Sequence, residues 1–140
     1  MTATRKHLQP AELFESQQHS FSQVVVTPPG QLVFVSGQIA WDRDMNLIGG
    51  TSIAAQARQA LANLKHALEA AGATVADITT LRVYIVDFRP EYFAELSPEF
   101  KQFFANVLPP ASTWIGVQAL AGPDLMIEIE AQAVIAGEKS

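Results

Sequence analysis

The side chains best suited to proton transfer in this sequence are Glu128 and Glu130, which alternate with isoleucines in the run IEIE. This alternation is typical of a β-strand, so both carboxylates are expected on one face of a sheet. A glutamate there could activate water or transfer a proton if its surroundings shift its pKa. Ion pairs also explain such glutamates, and the spacing alone favours that interpretation. The hydroxyls of Ser112 and Thr113 are further candidate groups.

The sequence lacks the residues that most other catalytic mechanisms need. It contains no cysteine, which excludes a disulfide framework, a thiol nucleophile and a thiolate metal site. The three histidines, His7, His19 and His66, are far apart and do not have the spacing of metal ligands. The pair Gly49-Gly50 predicts a turn rather than a phosphate loop, and no G-x-S-x-G motif indicates a serine hydrolase. No metal site is therefore expected.

Length and composition limit the class of protein. The 140 residues fit one domain, expected over residues 1–140, and the hydrophobic fraction is 49% against 16% charged. That balance favours a packed core, and the low charge leaves apolar surface for an oligomer interface. The net charge of −5 and the scattered Lys and Arg residues argue against a nucleic-acid partner. Without a signal-peptide core or a membrane-spanning run, we expect a cytoplasmic location and no membrane contact.

Hydrophobic periodicity predicts an α+β fold in the order ββαβαββ, with one sheet and two helices on one of its faces. The predicted strands cover residues 21–26, 31–39, 78–86, 112–120 and 125–135. The first two are expected to form a hairpin around the turn TPPG. Residues 1–18 are expected to be an irregular surface segment and residues 136–140 a frayed tail.

Two segments have helical spacing. Residues 52–71 place apolar side chains three and four apart, with Thr51 or Ser52 available to cap the start and Gly72 suited to the left-handed end. Further on, Pro90 is expected to open one turn, and the run SPE at 97–99 is expected to cap and begin a second helix.

The uncovered face of the sheet favours a partner. The runs VVV at 24–26 and LVFV at 32–35 are apolar on both faces of their strands. Such strands indicate sheet-to-sheet packing between identical subunits, and a half-solvated sheet on a monomer is the alternative.

Several segments, in matching order, resemble the reactive-intermediate deaminase family, also called the Rid or YjgF family. They are SGQI (36–39), AQARQALANL (55–64), AAG (70–72), VYIVD (83–87) and IEIEA (127–131). The resemblance covers residues 19 to 135, nearly the whole chain.

The resemblance implies a chorismate-mutase-like fold and a homotrimer, in which three sheets surround a central barrel and small-molecule ligands bind in clefts between subunits. Deaminases of the family hydrolyse reactive enamine and imine acids, such as 2-aminoacrylate, to keto acids and ammonia, without metal or cofactor. An arginine binds the substrate carboxylate, and a glutamate with a bound water supports hydrolysis.

Residue by residue, the resemblance assigns the family glutamate to Glu128, which makes it the candidate catalytic residue. Phe21 matches a cleft-lining tyrosine, and Gly37 matches a backbone group at the cleft. Ser97 falls near a polar residue of the second helix, and Trp114 falls where many members have cysteine or threonine.

Ser112 is the main departure from the family, whose deaminases read P-A-R where this chain has Pro110-Ala111-Ser112. A bidentate arginine–carboxylate pair is strong and specific, and a serine cannot supply its charge. Charge-assisted bonds contribute roughly 1.5–3 kcal/mol, so about one or two powers of ten in affinity are lost. The chain thus resembles the subgroup without the arginine, and efficient hydrolysis of 2-aminoacrylate is not expected.

Three interpretations remain open at this point. The protein is an enzyme for a neutral or aromatic imine, enamine or related carbonyl compound, or it binds a small metabolite without turnover, or Arg82 or Arg89 replaces the missing arginine. An endoribonuclease, an activity assigned to some family members, is the least attractive, because the chain is acidic and has no paired histidines.

Overall fold

The computed structural model describes residues 4–137, in which two helices, a four-stranded sheet and a two-stranded ribbon are formed. The strands are β1 (Lys6–Leu8), β2 (Val24–Val26), β3 (Gly30–Gln38), β4 (Ile78–Val86), β5 (Ala111–Val117) and β6 (Ile127–Ala136), and the helices are α1 (Ile53–Ala70) and α2 (Glu91–Phe103). From β2 onward the order is ββαβαββ. The predicted α+β class is confirmed, and β4 has the predicted bounds.

The sheet is mixed and has the strand order β3-β6-β4-β5. β6 runs antiparallel to β3 and β4, whereas β5 runs parallel to β4 and forms an edge. A parallel pair needs a crossover connection, which α2 supplies between β4 and β5. Both helices contribute to the buried core on one face of the sheet, where Leu64 of α1 and Phe100 of α2 join Val83 and Ile129.

Local hydrogen bonds explain where α1 begins and ends. The Ser52 hydroxyl accepts a bond of 3.1 Å from the backbone N–H of Ala55, so Ser52 rather than Thr51 caps the helix. Gly72 follows the helix with a φ of 79°, a conformation that favours glycine. The buried Gln56 side chain accepts from the Met126 N–H at 2.9 Å, which joins α1 to the residue that precedes β6.

The pairing of the first strands contradicts the predicted hairpin. Within residues 4–137, β2 pairs with β1 rather than with β3, and Lys6 lies opposite Val26. The tight hairpin turns need positive φ, and Pro28 and Pro29 hold φ near about −65°. β1 forms inside the segment that was expected to be irregular. Arg5, just before it, donates a bond of 2.6 Å to the Val134 carbonyl of β6.

α2 is one continuous helix, so the predicted second start at Ser97 is wrong. The helix begins at Glu91, directly after Pro90, and runs through Pro98 to Phe103. An interior proline removes a helical hydrogen bond and costs about 3 kcal/mol. Phe100 and Phe104 are 2% and 5% exposed, and burying two such side chains contributes about 3–6 kcal/mol, which offsets that cost.

The face of the sheet away from the helices is partly apolar and open. Leu32 and Phe34 of β3 are 67% and 69% exposed on it. Ala136 still pairs with Gly30, so residue 136, predicted to begin a frayed tail, belongs to β6. Residues 138–140 and 1–3 lie outside the described residues. No helix within residues 4–137 is long and apolar enough to cross a membrane.

Candidate functional site

Ser112 of β5 borders a cavity of about 340 Å³ between β5, α2 and residues 14–21. Its lining consists of five aromatic residues, three serines and one histidine: Phe14, His19, Ser20, Phe21, Phe93, Ser97, Phe100, Ser112 and Trp114. The cavity is near the lower end of the range for small-molecule sites, about 300–1,000 Å³. Phe21, Ser97, Ser112 and Trp114, all expected from the sequence, therefore lie around one cavity.

β5 and α2 form one wall of this cavity. Ser112 and Trp114 are two residues apart on β5, so their side chains point to the same, helix-covered face of the sheet. The Trp114 ring is stacked on Phe93 of α2, with ring centroids 5.7 Å apart and an interplanar angle of 7°. It also packs on the core residue Phe100 at 5.0 Å. The wall is thus continuous with the hydrophobic core, which fixes the orientation of the rings.

The opposite wall is the N-terminal strap, defined here as residues 9–22. Ser22, which is 1% exposed, fastens its end to the chain just before β5. The Ser22 N–H donates to the Pro110 carbonyl at 2.8 Å, and its hydroxyl donates to the Pro109 carbonyl at 2.6 Å. Because Pro110 lies two residues before Ser112, these bonds hold Phe21 beside the start of β5.

The Ser112 hydroxyl is the unsatisfied polar group of the cavity. Its Oγ atom is buried and has no hydrogen-bond partner among residues 4–137. A buried hydroxyl without a partner costs about 1–3 kcal/mol, and a ligand that bonds to it removes that cost. Ser112 is therefore equipped to recognise a polar group on a bound molecule.

Lysine, arginine, aspartate and glutamate are absent from the lining formed by the described residues. Arg82 lies on the opposite face of the sheet, with its guanidinium 3.8 Å from the Glu130 carboxylate. Arg89 pairs with Asp87 and lies over the ring of Tyr92, 5.8 Å from its centroid. Within a single chain, neither Arg82 nor Arg89 lines the cavity.

Glu128 lies away from this cavity, on the uncovered face of the sheet, in contact with Gly37. A Cβ atom added at Gly37 would lie 2.2 Å from a carboxylate oxygen of Glu128, so only glycine leaves room for this side chain. The register between β3 and β6 shifts between Val35 and Gln38, where β3 contains one extra residue. Such a β-bulge bends a strand locally and redirects its backbone. The bulge brings Gly37 against Glu128.

The two glutamates of β6 differ in their contacts. Glu130 accepts a short hydrogen bond from the Tyr84 hydroxyl and lies near Arg82. That hydrogen bond, together with partial burial and the negative charge, raises the pKa of Tyr84. Among the described residues, the Glu128 carboxylate forms neither a hydrogen bond nor an ion pair. The ion-pair interpretation of the sequence therefore applies to Glu130, and Glu128 is left free to bind water or a ligand.

Sequence reasoning missed part of the lining. Phe14 belongs to residues 1–18, which were expected to be irregular surface, and His19 and Ser20 lie between that segment and the predicted strand at 21–26. Phe93 lies in a part of α2 that was not assigned to the second helix. One feature of the sequence could have indicated this wall of the cavity: the aromatic residues Phe14 and Phe21 lie in a mostly polar stretch.

Comparison with known proteins identifies the family. Residues 14–135 match the sequence profile described as endoribonuclease L-PSP. A 2-iminobutanoate/2-iminopropanoate deaminase of Salmonella typhimurium is 38% identical over 107 residues, which cover 75% of this chain and 80% of that protein. A deaminase of that name from Escherichia coli is 37% identical over 107 residues, with 75% and 80% coverage.

Solved structures agree with this result. The crystal structure of YyfB from Yersinia pestis, a Rid-family protein of unknown function, matches with a TM-score of 0.90 and 40% identity, and the match covers 94% of this chain and 98% of that one. The YjgF gene product of Escherichia coli matches with a TM-score of 0.66 and 36% identity, over 75% and 81% of the two chains. The chain belongs to the family described as endoribonuclease L-PSP, which includes the YjgF and Rid proteins.

Proposed function

We propose that this protein hydrolyses a small imine, enamine or related carbonyl compound, in a site completed between subunits of a homotrimer. The relatives named as iminobutanoate and iminopropanoate deaminases support a deaminase type of reaction. The observation that carries the proposal is the free carboxylate of Glu128, held against the Gly37 backbone on an otherwise open face.

The location of the two groups favours a site between subunits. Ser112 faces the helix-covered side of the sheet, and Glu128 faces the other side. One chain therefore cannot direct both at the same small molecule. The exposed Leu32 and Phe34 on the Glu128 side offer an apolar surface against which a second copy can pack. Such packing would bring Glu128 of one subunit to the cavity of its neighbour.

The proposed chemistry needs water and one proton acceptor. Glu128 accepts a proton from water as the water oxygen bonds to the imine carbon, and it then delivers that proton to the imine nitrogen. The resulting carbinolamine then expels ammonia and leaves a carbonyl product, so atoms and charges balance without metal or redox partner. Because neither lysine nor arginine lines the cavity among residues 4–137, the favoured substrate is one without a carboxylate at that position.

A non-catalytic small-molecule-binding trimer is the second candidate. It is favoured by the cavity itself, in which His19 is the only titratable side chain among the described lining residues. An endoribonuclease is not favoured, since cationic groups to hold phosphate are absent from that same described lining.

The test compares Glu128→Gln with Glu130→Gln, a matched change on the same strand and face. Imines are generated in situ, 2-aminoacrylate from serine with a dehydratase and benzaldimine from benzylamine with a flavin amine oxidase. Semicarbazide traps the remaining imine, and a fall in the rate of semicarbazone formation measures hydrolysis. We expect Glu128→Gln to lower turnover by about a hundredfold or more, with the trimer intact in sedimentation. Glu130→Gln should keep most of the activity.

Two outcomes contradict the proposal. If the wild type hydrolyses no imine of the panel yet binds a small molecule, the protein is the binding trimer. If Glu128→Gln dissociates the assembly but keeps its activity per site, Glu128 is an interface residue and another group activates water.

A further inference from the structure

Phe14 is an exposed aromatic residue whose position the core does not explain. Its side chain is 64% exposed, yet it lines the cavity beside Ser112. It packs edge-on against Phe21, with centroids 5.9 Å apart, and against His19 at 6.4 Å. A ring that remains this exposed gains little from folding, which points to a role in contact with another molecule.

The strap is bonded so that Phe14 stays over the cavity. The amide of Gln9 donates to the Phe14 carbonyl at 2.8 Å, and the amide of Gln23 donates to it at 3.1 Å. The Gln9 side-chain oxygen also accepts from the backbone N–H and the hydroxyl of Ser16, both at 3.1 Å, and Ser16 is fully buried. Two glutamine side chains thus fix the backbone that presents the Phe14 ring.

The rest of the cavity offers flat apolar surfaces and one buried hydroxyl. The parallel rings of Phe93 and Trp114 lie on the wall opposite Phe14 and Phe21. Ser112 supplies a buried Oγ atom without a partner among the described residues. A planar ring bearing a hydrogen-bonding substituent satisfies both features at once, since its faces stack on aromatic walls and its polar atom bonds to Ser112. A carboxylate would instead be buried without a lysine or arginine from the described lining residues, which is unfavourable.

We propose that Phe14 is a specificity-determining residue and that the cavity takes uncharged, planar aromatic compounds with a carbonyl or imine group directed at Ser112. This inference deepens the proposed function and rests on the same site, but binding can be measured whether or not turnover occurs. The aromatic ring of the ligand lies between the strap and the Phe93–Trp114 wall.

The test uses three probes of similar size: benzamide, which is aromatic and neutral, benzoate, which carries a negative charge, and cyclohexanecarboxamide, which is neutral but not planar. Binding is followed by the fluorescence of Trp114 in the Trp41→Phe variant, since Trp41 is the other tryptophan of the chain. Calorimetry on the wild-type protein gives a second measurement if that variant folds poorly. Phe14→Ala is compared with Leu13→Ala, a change on the same strap at a residue that does not line the cavity.

We expect benzamide to bind and the other two probes to bind at least about fivefold more weakly, and Phe14→Ala to weaken benzamide binding by about fivefold or more. Leu13→Ala should not change it. Equal binding of all three probes, no binding of benzamide, or unchanged affinity in Phe14→Ala would overturn the inference. Turnover of imines without benzamide binding leaves the proposed function intact and removes this inference. If benzamide binds and no imine is hydrolysed, this inference stands and the proposed function is wrong.

Discussion

Replacing Gly37 with alanine tests the placement of the Glu128 carboxylate directly. The new Cβ atom would lie 2.2 Å from Oε2, 2.6 Å from Cδ and 2.7 Å from Cγ of Glu128, whereas ordinary contact begins at 3.4 Å. The carboxylate must therefore move by about 1 Å or more, a displacement that can lower the rate of a catalysed step about a hundredfold.

The stability of the fold should change little in Gly37→Ala. The atoms that the new methyl group meets belong to a flexible, partly exposed side chain, which can turn away. Alanine also lowers the conformational entropy of the unfolded chain, which stabilises proteins by about 0.4–1 kcal/mol where the backbone permits it. We therefore expect the free energy of unfolding to stay within about 1 kcal/mol of the wild type while turnover falls about a hundredfold.

The assay measures how far the protein lowers semicarbazone formation from the imine that the wild type hydrolyses fastest, alongside urea denaturation and sedimentation. Gly122→Ala is the matched control, because it adds the same methyl group 3.0 Å from a Trp41 ring atom, away from Glu128. It should keep its activity. Full activity in Gly37→Ala would refute the reasoning, as would an equal loss of activity in Gly122→Ala.

Three further changes have defined outcomes. Ser112→Arg should gain hydrolysis of 2-aminoacrylate in the semicarbazide assay, by about tenfold or more, because it restores a charged anchor; no gain would show that more than Ser112 separates this site from the deaminases. Ser52→Ala should lower the free energy of unfolding by about 1 kcal/mol, whereas Thr51→Ala should not, because only Ser52 caps α1. The raised pKa of Tyr84 in the fold means that its bond to Glu130 stabilises the protein below pH about 10 and is lost as pH rises through the raised value. Tyr84→Phe should therefore lose less stability than the wild type does as the pH rises above about 10, and an equal loss would contradict this linkage.

The sequence predicted those elements whose pattern is regular over many residues. β4 is buried at alternate positions and α1 has an uninterrupted apolar face, so periodicity located both. Periodicity did not predict strand pairing that depends on distant residues. β2 was assigned to a hairpin with β3, but the partner that it found, β1, lies about twenty residues earlier, and three-residue strands carry little signal of their own.

The candidate site was predictable in composition but not in arrangement. Four of the expected residues, Ser112, Trp114, Phe21 and Ser97, lie around one cavity, whereas Glu128 and Gly37 lie away from it. Side chains alternate between the two faces of a strand, and Ser112 lies opposite Leu81 of β4 while Glu128 lies opposite Tyr84, so the two side chains point to different faces. The sequence does not show this, because the register is known only once the strands are paired. Phe14 was missed because nothing in its sequence neighbourhood shows that two glutamines hold it in place.

The anchoring of the strap has a practical consequence for recombinant expression. The match to the family begins at residue 14, so a gene cut to that boundary would encode a protein that lacks Arg5, β1 and Gln9. Such a protein would keep the four-stranded sheet and both helices, and it would lose the bonds that hold the Phe14 carbonyl and Ser16 from the N-terminal side. Ligand screens on this protein therefore need residues 4–13 as well, because they supply bonds that hold the strap beside the cavity.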